Sequence, residues 1–232
     1  IVAILFLSIT YVIPFILWIS IYVIKDWRHD FLLLSSGFLL FEVLSIKAIK
    51  VIYNIDIIRE SNLSLKTFFD NYFKAIGQLV DVEKMVKIIS LMMPSFFIIE
   101  AMTLSLIAIY VSKWLAKKLK IQKHYTEFSN LFMPKEVTIG AIAFLIIQLF
   151  LKEFNMTYVI VSNIIIIISY LLFIQCLTLI YSILKDKIAV MLVKNIIMIF
   201  FIALCIQLFF VSILIGFLDL MFDFKKRKPK KV

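Results

Sequence analysis

The sequence predicts an all-α integral membrane helical bundle with six to seven transmembrane segments and one amphipathic outer helix. Three observations predict it. Hydrophobic residues make up 63% and charged residues 17% of the 232 residues, whereas soluble domains sit near ~45–50% and ~25%. The apolar residues fall in long continuous runs, not in alternating strands. Only 4 Gly and 4 Pro are present, too few for a loop-rich β protein or a glycine-built nucleotide site. Mean hydropathy is +1.06 and net charge is +10. Together these exclude disorder, a secreted disulfide scaffold and a soluble enzyme.

A bilayer core of ~30 Å needs ~20 helical residues, and the runs can be taken in order. Ile1–Ile24, with Pro14 near its middle, is the first span. No Met start, basic n-region or cleavage site precedes it, so it is not read as a signal peptide, and the sequence is read as truncated or processed. Phe31–Tyr53 is the second span, although it holds Glu42, Lys47 and Lys50. Residues 1–53 thus form a pair of N-terminal spans. Residues 88–224 form the main membrane bundle, with runs at Ile88–Ser112 (containing Pro94 and Glu100), Val137–Leu151, Tyr158–Leu184 and Ile188–Phe224. The last run would be roughly 50 Å long as one helix. Two short spans or a re-entrant hairpin turning near Cys205–Phe210 is favoured over one long tilted helix.

Residues 54–87 differ. Their charges balance, and Leu65, Phe68, Phe69, Tyr72, Phe73 and Ile76 recur at helical spacing opposite Lys66, Thr67, Asp70, Asn71 and Lys74. That pattern is an amphipathic helix, with Ser64 the expected N-cap and Gly77 the interruption. Asp81 and Glu83 mark the start of the next span. The helix is either an interfacial lid over a cavity or a connecting helix packed on the bundle.

Lysines set the orientation. The linker Lys113–Glu136, rich in Lys, and the turn Lys25–Asp30 are expected in the cytoplasm, which places 54–87 outside. Lys113, Lys117, Lys118 and Lys120, with Trp114, form a patch suited to the anionic inner leaflet. Residues 225–232 form a basic tail, placed in the cytoplasm by the hairpin. The tail lacks aromatic interleaving, so lipid and topology explain its charge and nucleic acid is not a partner.

Signatures of catalysis are missing. There is no P-loop, no H-E-x-x-H, no zinc-spaced cysteine pair and no nucleophile elbow. His29 and His124 read as solvated turn residues, and Cys176 and Cys205 as buried packing thiols. No catalytic residue, metal ligand or cofactor is assigned, and the chain is read as not an enzyme. Ionisable groups inside apolar runs cost ~2.5–3.5 kcal/mol each near the bilayer centre, so each needs a reason. Glu42 and Glu100 are candidates for a substrate or ion site, and Gln175 and Asp219 join them as polar groups inside spans. The competing account is pairing with a neighbouring helix, which also explains Gln148, Asn163 and Gln207. Lys50 lies too far along the helix from Glu42 for a direct pair.

Several local patterns resemble one family. They are Phe128, Phe132, Pro134 and Lys135 in EFSNLFMPK, the span FFIIEAMTLSLIAIYVSKWLAKKL, Gln175 in LLFIQCLTLIYSILK, and the ending IGFLDLMFDFKK. The ending carries Gly216, Asp219, Phe222, Asp223, Phe224 and Lys225. Together they resemble the YybS-like family, bacterial polytopic membrane proteins catalogued as a domain of unknown function. The likeness covers roughly residues 88–225. This chain departs from the family in having Cys176 where Gly is usual and Lys225 where Arg is usual. The resemblance implies a multi-pass protein of the bacterial inner membrane with further helices ahead of Ile1. In layout the family is similar to the small-molecule-binding components of energy-coupling-factor transporters, which work with separate ATPase subunits. It therefore implies a non-ATPase, substrate-binding component of a small-molecule transporter. The alternative is a membrane scaffold or regulator that docks a cytoplasmic partner through the Lys-rich linker and the Phe-Asp-Phe ending. The expected partners are the lipid bilayer, ATPase or other membrane subunits, and a small molecule the sequence does not name.

Overall fold

A chain this apolar can satisfy its backbone polar groups in lipid only within helices, and every regular element among the described residues is helical. The computed structural model describes residues 16, 27–78, 80–120, 128, 131, 133–151, 156–188 and 190–224. The helices are α1 (Trp27–Tyr53), α2 (Ile57–Ala75), α3 (Val82–Lys118), α4 (Glu136–Phe150), α5 (Met156–Lys187), α6 (Met191–Gln207) and α7 (Phe209–Phe222). The expected first span Ile1–Ile24 and the basic tail from Lys225 lie outside the described residues.

Among the described residues, α1, α3 and α5 are each long and apolar enough to cross a membrane, and the bent pair α6–α7 makes up to four. Three or four of the six to seven spans expected from sequence are thus found among the described residues, and the first of the expected spans lies outside them. α4 has 15 residues, short of the ~20 a spanning helix needs. The α6–α7 break has the larger effect on the count. The helix axis turns by 108° there, at Leu208 (φ −100°, ψ 44°), inside the Cys205–Phe210 window. Neither Gly nor Pro makes this turn. The Ser212 hydroxyl donates to the Cys205 carbonyl at 3.1 Å, a group the turn removes from its helical partner, and Phe209 packs its ring 5.5 Å from that of Phe173.

The amphipathic helix begins earlier than its pattern suggests. Asp56, not Ser64, is its N-cap: the Asp56 side chain accepts from the Arg59 amide. Ser64 therefore lies inside α2. Asp56 wins because it also binds Lys50 at 2.8 Å, which joins the cap to the end of α1. Gly77, at φ +66°, lies just past the end of α2 in the left-handed region that glycine tolerates. Asp81 then accepts from the Lys84 amide at 3.0 Å and starts α3. Pro94 is accommodated within α3 without ending it.

The chain divides into two compact units. In the first, Phe31 to Leu115, α1 and α3 are joined at Ser35 and Ser105, and each helix carries a buried face of small and apolar groups. α3 contributes Ala101, Ser105, Ala108, Ile109 and Ser112, all buried, and α1 contributes Phe31, Leu34, Phe38 and Ile49. The Ser35 hydroxyl donates to the Ser105 hydroxyl at 3.0 Å between the two helices. Small side chains suit this contact, because lipid tails are as apolar as leucine and helix association depends on close van der Waals approach and hydrogen bonds.

The second unit runs from Ala116 onward and also takes in the start of α1 up to Asp30. α5 is its centre and packs on α4, α6 and α7. A cluster of Phe173, Cys176, Leu177 and Cys205 fills the α5–α6 contact, and both cysteines are free and buried. The closest helix approach is at Gly216 of α7. A Cβ built there would run into the Leu172 carbonyl oxygen and lie 3.2 Å from the Cys176 amide nitrogen of α5. The glycine that allows close packing is thus on α7, and Cys176 on α5 is tolerated opposite it.

Gly216→Ala is expected to force α5 and α7 apart and cost ~2–4 kcal/mol, read as a lowered unfolding midpoint in detergent. Gly140→Ala is the control. Its added Cβ would meet only Ile168 Cδ1 at 3.7 Å, and the exchange should be neutral or stabilise by about 0.5–1 kcal/mol.

Candidate functional site

The four polar residues singled out in the spans form two pairs, one in each unit. In the first unit Glu42 lies on the α1 face that carries Phe31, Ser35, Phe38 and Ile49, at helical spacing toward α3. Glu100 sits beside Ala101 on α3. The two carboxyl groups are close enough to act on one another. Glu42 is half-buried and Glu100 is exposed. Each lies near the middle of a helix long enough to span the membrane. Two carboxyl groups can hydrogen-bond only with a proton between them, since ionised carboxylates are acceptors alone. Lys50 does not serve Glu42, because it is bound to Asp56. Lys47 points to the exposed side of α1.

In the second unit Gln175 and Asp219 are both fully buried. The Gln175 amide donates to Asp219 Oδ2 at 2.5 Å, and its carbonyl oxygen accepts from the Met133 amide at 3.1 Å. One side chain thus ties α5 to α7 and to the segment before α4. Asp223, at the αL end of α7 (φ 50°), donates its amide to the Asp219 carbonyl, and its carboxylate meets Lys135 at 3.1 Å. Phe128 packs edge-on to Tyr181 at 5.6 Å. The residues shared with the family resemblance thus converge on one polar knot with Gly216 beside it. Phe132 and Lys225 lie outside the described residues. Other polar span residues divide as helix partners do: Gln148 donates to Ser162 across α4 and α5 at 3.3 Å, Asn163 bonds its own helix, and Gln207 is exposed at the α6–α7 break.

A third arrangement was not foreseen. An open groove of about 600 Å³ runs between the first half of α2 and the first turns of α3, lined by Asp56, Arg59, Asn62, Lys66, Glu83 and Lys87 among others. Lys66 binds Glu83 at 2.5 Å, and the Ser90 hydroxyl donates to Asn62 at 2.7 Å. The groove is walled on the α2 side by residues 56–66. Its only sequence signal was the Asp56–Arg59 capping spacing, masked by the stronger aromatic pattern further on. The Lys66 ammonium is held above its usual range by Glu83. The hydrogen bond from Lys50, then that from the Arg59 amide, holds the Asp56 carboxyl below the usual carboxylate range.

The lysine patch falls on the last turns of α3 and the residues just after it. Lys117, Lys118 and Lys120 are exposed, Lys113 is half-buried and Trp114 is exposed. No group of three or more His, Cys, Asp or Glu able to hold a metal ion occurs among the described residues.

Long apolar helices tied by buried polar contacts define a multi-pass helical membrane protein. The chain belongs to the DUF2232 family, described as a predicted membrane protein family, whose model matches residues 1–220. The YybS-like resemblance agrees with that family, and the match extends it from residues 88–225 back across the N-terminal half. No curated protein and no solved structure matches the chain.

Gln175→Leu removes the amide donor from a buried carboxylate and is expected to cost roughly 2–4 kcal/mol. Adding Asp219→Asn should recover part of the loss, because the buried charge is gone, and a double-mutant cycle in detergent reads this as positive coupling. A second expectation concerns pH. The Asp56 contribution to the α1–α2 junction is full above the ordinary carboxylate range and is lost as pH falls through its lowered value. Amide exchange in the first turn of α2, corrected for intrinsic rates, should accelerate over that acid range, and Asp56→Ala should show the faster exchange already at neutral pH.

Proposed function

We propose that this chain is a non-enzymatic, substrate-binding component of a small-molecule transporter in a bacterial inner membrane, with ATP hydrolysis supplied by a separate subunit. The contact between Glu42 and Glu100 carries the proposal. Two carboxyl groups from different spans meet where each alone would cost ~2.5–3.5 kcal/mol. Their chemistry is not self-complementary without a proton or a cation. A site held at such a cost suits a cationic solute or a coupling proton better than it suits packing. The open groove between α2 and α3 in the same unit gives a polar surface near the ends of these spans.

The competing role, docking a cytoplasmic partner through the Phe-Asp-Phe ending, has fewer groups to use. Asp219 is buried against Gln175 and Asp223 is engaged by Lys135.

The test is a thermal-shift screen of the purified chain against inorganic cations, amines and amino acids. A ligand at about 100 times its Kd stabilises by ~2.7 kcal/mol. The expected result is a midpoint rise of several degrees in the wild type that is lost in Glu42→Gln and in Glu100→Gln. A shift that persists in both variants, or no shift with any of these solutes, defeats the proposal.

A further inference from the structure

α2 presents an exposed apolar surface. None of its residues is buried. Leu65, Phe68, Tyr72 and Ile76 follow one another at helical spacing along one face, and Phe68 and Tyr72 are 61% and 52% exposed. Their rings stack, with centroids 6.3 Å apart and planes inclined by 11°, so the surface is continuous. Glu60, Thr67, Asn71 and Lys74 are exposed on the opposite side. The flank facing α3 is fixed separately, by Lys66 to Glu83 and by Ser90 to Asn62.

We propose that α2 lies in the membrane–water interface and that the stripe Leu65, Phe68, Tyr72 and Ile76 is a lipid-binding surface. Covalent tethering identifies the occupant. α2 follows α1 after only Asn54–Asp56, and α3 starts soon after it at Val82. Both neighbours are long and apolar enough to span the membrane. Both ends of a helix about 28 Å long are therefore held at one membrane face. The Lys50–Asp56 bridge at 2.8 Å tightens the first tether. At that depth an apolar stripe backed by a charged face fits the boundary between headgroups and acyl chains. Tyr72 suits that layer, with a ring for the apolar side and a hydroxyl for the wet side. The charges on α2 nearly balance, with Arg59, Lys66 and Lys74 against Glu60 and Asp70. Apolar contact therefore drives the binding, and anionic headgroups are not required.

The experiment uses the full chain in nanodiscs of phosphatidylethanolamine and phosphatidylglycerol. Nitroxide labels are placed at Phe68→Cys and Tyr72→Cys on the stripe and at Thr67→Cys and Asn71→Cys on the polar face. Cys176 and Cys205 are buried, so labelling is selective without replacing them. Collision with oxygen is compared with collision with a water-soluble nickel chelate. At residues 68 and 72 oxygen should dominate, and the order should invert at 67 and 71. Equal access of the nickel chelate to all four sites would overturn the proposal, because the stripe would then stand in water. Loss of both collisions at 68 and 72 would also overturn it, because protein would then cover the stripe.

Discussion

The approach of α7 to α5 at Gly216 is the constraint on which the second unit depends. Within a bilayer no hydrophobic force pulls helices together, so association rests on how closely backbones fit and on polar groups that have nowhere else to bond. At Gly216 the α5 backbone lies so close that even one methyl group would overlap the Leu172 carbonyl. That proximity puts Asp219, one turn further along α7, within reach of Gln175. The same turn carries Asp223 to Lys135, and the Gln175 carbonyl oxygen holds the Met133 amide. One missing side chain thus sets the position of a hydrogen-bonded knot that fastens α5, α7 and the lead-in to α4.

The first unit solves the same problem with a different chemistry. Its α1–α3 seam uses serine and alanine, and its cross-helix bond joins two hydroxyls, Ser35 and Ser105. Hydroxyls have an alternative within their own helix: the Ser35 proton can go to the Phe31 carbonyl instead, and Ser105 donates to the Ala101 carbonyl. Such groups are satisfied whether or not the helices touch, so they bind more weakly than a buried amide–carboxylate pair. The first unit's seam is accordingly less tightly specified by polar contacts, and it is the seam that carries Glu42 and Glu100.

Much of this was legible from residue order, for identifiable reasons. α1, α3 and α5 were visible because long apolar runs can only be helices in lipid. Asp81 marked the start of α3 because an N-cap is a local signal. The start of α2 was misplaced at Ser64 because Asp56 acts through Lys50 as well as through its own helix, and that bridge crosses a helix boundary. The short length of α4 and the break at Leu208 were harder to see. Ser212 and Phe209 stabilise that break through contacts no hydropathy pattern encodes, whereas Gly or Pro would have announced it. The meeting of Gln175 with Asp219 spans 44 positions, and neither residue carries a motif that names the other. Family resemblance marked both as important without saying that they touch.

Gln175, Asp219, Glu42 and Glu100 look alike in sequence: polar groups inside apolar runs, each costly, each in need of a partner. Their partners separate them. An amide and a carboxylate are donor and acceptor, so Gln175 meets Asp219 Oδ2 directly. Two carboxyl groups are both acceptors once ionised, so Glu42 and Glu100 offer each other no donor in that state. The first pair joins donor to acceptor, and the second sets one carboxyl group against another. Intramembrane polarity alone therefore does not mark a functional site in this protein. The distinguishing property is whether a polar group inside a span has a complementary partner within the chain, and Glu42 and Glu100, from α1 and α3, instead meet like with like.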